Sequence, residues 1–388
     1  MYKVAKLNRI SSKGTALFSD KYELTDDTGA ATVILVRSAD MQEMNLSENL
    51  LVIARAGAGV NNIPVDKCSE HGVVVFNTPG ANANAVKELV LACMLMASRN
   101  IPAAINWAKT LTKDAAKAVE DGKAQFSGGE IKGKTLGVVG LGYIGVIVAN
   151  AAEDLGMKVV GYDPYLSLKA AHALASTVKL YDKLTAMLPH CDYVTIHVPS
   201  TKETNGMFDY AMIENMKSTA VLLNFSRDKL VVGEDLKRAL AGKKLQSYIT
   251  DFPTDEMLGV EGVLLIPHLG ASTEESEENC AVMAVEEVMD FLENGNILNS
   301  VNFPTIDAGK LDECPRIVVL HKNVPSMLGI QTGALAKMGV NIRNLVNKSK
   351  GEYACTILDC DEDVDEDTVR AAFDVDGIIS VRIIKGSD

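Results

Sequence analysis

The sequence predicts an α/β protein made of two doubly wound lobes, each a parallel sheet wrapped in helices, followed by a smaller ferredoxin-like unit. Three observations lead to this prediction. Short apolar runs alternate with helical patterns through most of the chain, which is the order that builds parallel sheets. A glycine-rich turn directly follows one of those runs, and residues 315–388 change to a βαββαβ order. With 388 residues, the chain is long enough for two or three domains.

The composition excludes several classes of protein. The formal net charge is −13, which argues against binding to nucleic acid or to a membrane surface, because both need concentrated Lys and Arg. The seven cysteines form no C-x-x-C pair and no zinc spacing, so we expect reduced, packed thiols and no metal site. The first ten residues contain no apolar stretch of the kind found in signal peptides, and no long apolar run occurs elsewhere. We therefore expect a cytoplasmic protein.

The first lobe is predicted from three apolar strands over residues 32–36, 51–55 and 73–77. A helix over about 83–99 carries its apolar residues at helical spacing and ends this unit. A long helix over about 273–293 begins with an acidic turn, which the helix dipole favours, and is expected to pack back against the first lobe.

The second lobe begins with the strand TLGVV at 135–139. Five further apolar runs, each followed by polar or turn-forming residues, predict the remaining strands of its sheet. These runs are KVVGYD, YVTIHV, AVLLNF, SYITDF and VLLIPH.

The segment GLGYIG at 140–145 is a G-x-G-x-x-G turn between a predicted strand and a predicted helix. Gly140 permits the tight turn, Gly142 lets a pyrophosphate approach the backbone, and Gly145 brings helix and strand together. The anion would then lie at the helix N-terminus. Asp163 ends the next strand and would accept hydrogen bonds from ribose hydroxyls, while its charge would repel a 2′-phosphate, so NAD is expected over NADP. Alternatively, the glycines only serve the turn and Asp163 caps the next segment.

Arg227, Asp251, Glu256 and His268 each lie at or just after a predicted strand end, where open α/β sheets carry their ligands. Oxidising a secondary alcohol beside a carboxylate needs a base, a cation and a hydride acceptor. His268 is the candidate base and Arg227 the candidate cation. A hydrogen bond from the His268 ring to the carboxylate of Glu256 would raise the pKa of His268 and fix its tautomer. Each of these residues also has a simpler explanation. Arg227 could form a surface ion pair, Glu256 could be a solvated acid, and His268 could be a strand-end residue with a structural role.

These motifs together resemble the D-isomer-specific 2-hydroxyacid dehydrogenases. The resemblance covers about residues 30–304 and is specific because many segments match in order. The matching segments are VRSA, RAGAGVNNI, NTPGANANAVKELV, GLGYIG, YDPY, HVPSTKET, NFSR, the D-x4-E of Asp251 and Glu256, and PHLGAST.

The resemblance implies two Rossmann-like lobes with catalysis in the cleft between them. The substrate-binding domain would be discontinuous, over 1–98 and 284–304, and the NAD-binding domain would span 99–283. The catalytic set would be Arg227, Glu256 and His268, and Asp251 would lie near the nicotinamide carboxamide. The implied cofactor contacts are Gly140, Gly142, Tyr143, Ile144, Gly145, Asp163, Pro164, His197, Pro199, Thr204 and Asp251.

Three segments depart from the family's pattern. Phe252 and Pro253 follow Asp251 where valine is usual, and Lys87 precedes Glu88 where a small residue is typical. Asp228 replaces the glycine that usually follows the arginine. Its β-carbon and charge beside Arg227 are expected to narrow the site or weaken its affinity for anions.

The choice of hydroxy acid depends on cations in the first lobe. Arg37 and Arg55 follow predicted strands and match family positions that carry arginine toward a phosphate, so the expected substrate is 3-phospho-D-glycerate, oxidised to 3-phosphohydroxypyruvate at the start of serine synthesis. Ser38 and Gly57 are the further expected contacts, with Arg227 and His268. Arg37 and Arg55 are alternatively strand-end residues paired with acids.

The rival functions are a glyoxylate or hydroxypyruvate reductase and a corepressor-like protein that senses NAD.

Residues 315–388 resemble an ACT domain, a small regulatory module, through HKNVPSMLGIQTGALAKMGVNI and EYACTILDCDEDV. The resemblance implies an L-serine effector held by His321, Asn323 and Asn341. Ser326 departs from the pattern, because a glycine usually follows the proline. The alternative is a module that only dimerises, and a homodimer or homotetramer is expected.

Overall fold

A computed structural model of the chain describes residues 1–362 and 364–386. It divides into two compact units, one formed by Met1–Asn82 with Glu274–Asp388 and the other by Ala83–Thr273. The helix Ala83–Ser98 falls in the second unit because it packs on the helix Tyr143–Asp154. The predicted domains divide instead after residues 98 and 283, and their functional assignment remains a prediction. The predicted third domain, 315–388, includes three residues outside the described part.

The first unit contains a five-stranded parallel sheet. In spatial order its strands are Tyr22–Thr25, Tyr2–Lys6, Val33–Val36, Val52–Arg55 and Val74–Asn77. The three predicted strands are confirmed to within one residue, whereas the first two were not predicted. The helices of this unit, apart from its C-terminal part, are Ser12–Thr15, Val65–Glu70 and Glu274–Asn294.

The helix Glu274–Asn294, called here the long helix, packs its apolar face into the core of this first sheet. Two arginines of the C-terminal segment, residues 315–386, bind the last carbonyl groups of the long helix. Arg316 Nη1 donates to Asn294 O at 2.7 Å, and Arg382 Nη2 donates to Leu292 O at 3.0 Å. Cations at a helix C-terminus complement the dipole and pair its free carbonyls. These bonds fasten the C-terminal segment to the long helix.

Glu287, in the middle of the long helix, is a buried carboxylate at 7% exposure. Its Oε1 accepts from Asn299 Nδ2 at 2.7 Å, while Oε2 is buried and has no hydrogen-bond partner among the described residues. Burial raises the pKa of Glu287 from 4.5 to about 8. Between these two pH values the folded protein therefore keeps the carboxyl proton of Glu287, whereas the unfolded chain releases it. The associated stability is full below pH 4.5 and is lost as the pH rises through about 8.

We expect Glu287→Gln to stabilise the protein by about 2 kcal/mol at pH 8 and to change little at pH 5, because the amide removes the buried charge. Urea unfolding at the two pH values measures this. The matched control is Glu286→Gln, since Glu286 is the exposed neighbour. An equal effect of both substitutions at both pH values would contradict the prediction.

The second unit contains a seven-stranded parallel sheet. In spatial order its strands are Val263–Leu265, Ser247–Thr250, Val221–Asn224, Tyr193–Ile196, Thr135–Val139, Lys158–Tyr162 and Lys179–Leu180. The order reverses between Tyr193–Ile196 and Thr135–Val139, and ligands bind at such switch points in open α/β sheets. The helices are Ala83–Ser98, Ile101–Ala108, Ala115–Gly122, Tyr143–Asp154, Leu168–Ala173, Leu184–Met187, Tyr210–Glu214 and Gly233–Ala241.

The C-terminal segment of the first unit forms a four-stranded antiparallel sheet with two helices. In spatial order its strands are Ile342–Lys350, Tyr353–Cys360, Arg316–Lys322 and Ile378–Ile384, and its helices are Met327–Lys337 and Glu366–Ala372. The predicted βαββαβ order is confirmed.

Ser326, immediately before the helix Met327–Lys337, has a φ of +73° and makes no side-chain cap hydrogen bond. A residue with a β-carbon is disfavoured in this left-handed conformation. Ser326→Gly should therefore stabilise the protein by about 1 kcal/mol, measured by thermal or urea unfolding. Ser326→Ala keeps the strained β-carbon and should give no gain; equal stabilisation by alanine would argue against this explanation.

The seven cysteines are unpaired, and all but Cys314 are buried, which confirms the prediction of packed thiols. Among the residues that the structure describes, no single helix is long and apolar enough to cross a membrane. Ala83–Ser98 and Ile101–Ala108, bent by 67°, meet that criterion only as a pair.

Candidate active site

Three predicted site residues lie at the ends of neighbouring strands of the second sheet. Arg227 follows Val221–Asn224, Asp251 follows Ser247–Thr250, and His268 follows Val263–Leu265. Two hydrogen bonds order the first two of these strand ends. Thr250 Oγ1 donates to Asn224 O at 2.7 Å, and Asn224 Nδ2 donates to Arg227 O at 2.8 Å.

Phe252 is a shared contact of the candidate base and the candidate cation. Its ring centroid lies 4.6 Å from that of His268 and 5.7 Å from the guanidinium carbon of Arg227. An aromatic face attracts a guanidinium and supplies a flat packing surface. Phe252 therefore places both side chains on one ring. The sequence had marked it only as a departure from the usual valine.

Asp251, directly before Phe252 in the chain, is fully buried. Its Oδ2 accepts from the Gly270 N–H at 2.8 Å, and its Oδ1 has no hydrogen-bond partner in the described part of the chain. Burial raises the pKa of Asp251, opposed by the Gly270 N–H and by the charges of His268 and Arg227. A β-carbon on Gly270 would lie 2.9 Å from Oδ2, so glycine is needed where the PHLGAST turn meets Asp251.

The predicted hydrogen bond between Glu256 and His268 is not formed. Glu256 lies in the 3-10 turn Asp255–Met257, and a β-carbon on Gly233 would collide with its carboxylate. Gly233 begins the helix Gly233–Ala241, and a carboxylate is favoured at a helix N-terminus. The structure thus places Glu256 against this helix and leaves His268 on Phe252.

Asp228 does not pair with Arg227. It is exposed and begins the 3-10 turn Asp228–Leu230, and no ion pair joins it to Arg227 among the described residues. Arg227 Nη1 donates instead to the carbonyl oxygen of Ser226 at 2.6 Å. No direct contact between Asp228 and Arg227 therefore supports the expected loss of anion affinity.

The glycine-rich turn has the geometry that its spacing predicts. Gly140 has a φ of +90°, and a β-carbon on Gly145 would overlap the Gly140 carbonyl oxygen. Nothing lies within 4 Å of a β-carbon built on Gly142, so a ligand can approach the backbone there. The helix Tyr143–Asp154 begins at this turn. Of the other predicted contacts, Tyr143 is 53% exposed, Ile144 is part-buried and Pro164 is exposed.

Asp163 braces the same turn. Its Oδ2 accepts from the Leu141 N–H at 2.7 Å, and its Oδ1 accepts from the Tyr165 N–H at 2.8 Å. The capping role considered as an alternative is therefore present. A carboxylate offers about four acceptor positions, so two remain for other donors.

His197 lies beside the glycine turn, because a β-carbon on Gly140 would be 2.5 Å from its carbonyl oxygen. Its Nε2 is 2.9 Å from Thr195 Oγ1, while its Nδ1 is buried without a partner among the described residues. Burial lowers the pKa of His197 to about 3, so the ring is neutral at physiological pH. Farther along the loop, Thr204 Oγ1 donates to Pro199 O at 2.6 Å.

In the first unit, Arg37 is paired with an acid, as the alternative interpretation proposed. Arg37 Nη1 is 2.7 Å from Glu277 Oε1. The backbone N–H groups of Arg37, Ser38 and Ala39 all donate to Asn8 Oδ1, at 2.9 to 3.1 Å. Asn8, which the sequence did not indicate, therefore shapes the loop that carries Arg37.

Arg55 packs over the backbone of Gly57, where a β-carbon would collide with its guanidinium. Gly57 has a φ of +151°, and its N–H donates to Thr78 Oγ1 at 2.8 Å. Burial raises the pKa of the Cys280 thiol, and the charges of Arg37 and Arg55 oppose that rise. Both guanidinium groups therefore act on this one buried thiol.

The three predicted effector residues are in different environments. His321 is 2% exposed, and its Nε2 is 2.9 Å from Thr356 Oγ1. Asn323 Nδ2 donates to Gly351 O at 3.1 Å, and Asn341 is exposed. The His321 ring is thus bonded inside the C-terminal sheet and does not face solvent.

Residues 91–270 match the model of the D-isomer specific 2-hydroxyacid dehydrogenase, NAD binding domain. A D-3-phosphoglycerate dehydrogenase of Methanocaldococcus jannaschii is 34% identical over 309 residues, which cover 77% of this chain and 57% of that protein. The D-3-phosphoglycerate dehydrogenase of Escherichia coli is 31% identical over 356 residues, covering 88% of this chain and 83% of that protein.

Among solved structures, the NAD+-bound 3-phosphoglycerate dehydrogenase of Entamoeba histolytica superposes with a TM-score of 0.62 and 26% identity. The match covers 78% of this chain and 98% of that one. The chain spans less than two thirds of the length of the Methanocaldococcus relative, but most of the length of the Escherichia and Entamoeba proteins.

Proposed function

Because this chain belongs to the D-isomer specific 2-hydroxyacid dehydrogenase family, we propose that it oxidises 3-phospho-D-glycerate to 3-phosphohydroxypyruvate with NAD. The observation that carries the proposal is the placement of Arg227 and His268 on the ring of Phe252, next to buried Asp251. These groups lie on strand ends of the sheet whose switch point carries the glycine turn.

The residues of the second unit fit a dinucleotide. Gly142 leaves open space at the start of a helix, where the backbone N–H groups favour a pyrophosphate. Asp163 keeps acceptor positions for ribose hydroxyls and would repel a 2′-phosphate. Asp251 Oδ1, which has no hydrogen-bond partner among the described residues, suits the amide group of nicotinamide. When bound, NAD supplies the acceptor for the hydride that leaves the substrate's C2 carbon.

In this proposal Arg227 binds the substrate carboxylate through charge-assisted hydrogen bonds, which are stronger than neutral ones. His268 accepts the proton of the C2 hydroxyl as general base, and its exposure lets it release that proton to solvent afterwards. Phe252 limits the motion of both side chains. Glu256 remains the proposed carboxylate partner of His268. To reach His268, the Glu256 side chain must leave its position against Gly233.

The cations of the first unit support a phosphorylated substrate. Arg37 and Arg55 act on the same buried thiol, Cys280, and so belong to one region of that unit. A guanidinium recognises phosphate through paired N–H donors. Arg37 and Arg55 are the proposed phosphate ligands, and Ser38 and Gly57 are the further proposed substrate contacts near them.

The test is the initial rate of NADH formation with 3-phospho-D-glycerate, D-glycerate and D-lactate, together with NADH consumption on glyoxylate and hydroxypyruvate. We expect kcat/KM to be highest for the phosphorylated acid. Equal efficiency on the unphosphorylated acids would favour the reductase. The absence of any NADH signal would favour a protein that only senses NAD.

The C-terminal segment is proposed to act as an ACT domain in a homodimer or homotetramer, with L-serine as effector. The support is its βαββαβ sheet and the exposed Asn323 and Asn341; the buried His321 would have to move to reach a ligand. Turnover and melting temperature with millimolar serine test the effector, and small-angle scattering tests the assembly.

A further inference from the structure

The ion pair between Arg37 and Glu277 occupies one of the two cations assigned to the substrate's phosphate. Arg37 Nη1 and Glu277 Oε1 are 2.7 Å apart, and their side chains are 35% and 41% exposed. An ion pair this exposed contributes little stability, because water screens it and two flexible side chains must be held. Glu277 can therefore be exchanged for another anion at small cost.

Glu277 stands in the same region as both cations. It lies in the first turns of the long helix, one turn before Cys280. The buried Cys280 thiol is close enough to hydrogen-bond with Thr78 and to sense the charges of Arg37 and Arg55. A carboxylate is thus built into the region where the phosphate is proposed to bind.

We propose that Glu277 is a competing counter-ion, which the phosphate of the substrate displaces from Arg37. This inference rests on the proposed function. A phosphate dianion has more charge and more acceptor oxygens than a carboxylate, so it competes well for the guanidinium. A substrate with only a hydroxyl at that end cannot displace Glu277 and leaves the ion pair intact. Glu277 therefore weakens the binding of phosphorylated ligands, which need Arg37, and has no effect on ligands that do not reach Arg37.

The neighbouring acid provides a matched control. Glu278 lies next to Glu277 in the same helical turn, but its Oε2 pairs with Lys13 Nζ at 2.6 Å. Replacing either acid by glutamine removes one charge from the helix N-terminus. Only Glu277→Gln removes the charge that faces Arg37.

We expect Glu277→Gln to lower KM for 3-phospho-D-glycerate about threefold, the size expected for one exposed ion pair. The change should fall on KM and not on kcat. KM for D-glycerate should be unchanged, and inorganic phosphate should become a tighter competitive inhibitor by a similar factor. Glu278→Gln should leave all of these values unchanged.

Arg37→Ala separates this inference from the proposed function. If it leaves KM for the phosphorylated acid unchanged, Arg37 is not a phosphate ligand and that part of the proposed function fails. If it raises KM, and Glu277→Gln lowers KM only while Arg37 is present, the inference holds. The inference is wrong if Arg37→Ala raises KM but Glu277→Gln does not lower it. A higher KM in Glu277→Gln would mean that Glu277 orients Arg37, and an unchanged KM would mean that Glu277 has no part in binding.

Discussion

Replacing His268 by alanine should lower turnover by about 100-fold to 10,000-fold while leaving NAD binding nearly unchanged. The imidazole is the only group at these strand ends to which we assign the proton of the C2 hydroxyl. It is exposed and rests on Phe252, so its loss removes chemistry without opening a cavity in the core. Steady-state kcat and the NADH dissociation constant from fluorescence titration measure the two effects.

His172→Ala is the control for this substitution, because His172 is an exposed histidine of the same unit at the end of the helix Leu168–Ala173. It should not change either quantity. Wild-type turnover in the His268→Ala protein would show that the base lies elsewhere.

Replacing Arg227 by alanine should cost about 2 to 5 kcal/mol in kcat/KM, the range for truncating one partner of a desolvated charge pair. Arg227 is held by its contact with Phe252 and by the hydrogen bond from Nη1 to Ser226 O, so the guanidinium is preorganised for an anion. Comparison of kcat/KM between wild type and variant, with melting temperature as a check on folding, measures the loss.

Arg227→Lys should recover part of this loss, because lysine keeps the charge but not the planar pair of donors. Lys229→Ala removes a nearby exposed cation and should have little effect. If Arg227→Ala and Lys229→Ala behave alike, the carboxylate is bound by another group.

Buried strands were the part of the fold that could be predicted best. Val33–Val36 and Val221–Asn224 are buried throughout, so each reads as an apolar run bounded by polar residues. Tyr2–Lys6 and Tyr22–Thr25 were missed because they contain exposed charged residues at or near the sheet edge. The run VLLIPH was predicted too long; the strand ends at Leu265, ahead of a proline that cannot donate to the ladder.

The positions of site residues could be predicted only where they depend on neighbouring residues in the sequence. The glycine turn and the strand-end positions of Arg227 and His268 follow from such short-range patterns. The position of Glu256 does not, because it depends on the open space over Gly233, some twenty residues earlier and on another element. The ion pair of Arg37 with Glu277 likewise joins distant segments, and no spacing in the sequence indicates it.

Transfer of hydrogen from the C2 carbon of the substrate to NAD is the step on which the proposed function depends. Mass spectrometry of the NADH formed from 3-phospho-D-glycerate deuterated at C2 measures that transfer directly. The proposed mechanism predicts NADH that carries the deuterium, with none formed from the L-isomer. NADH without deuterium, or no NADH from the phosphorylated D-isomer, would contradict it.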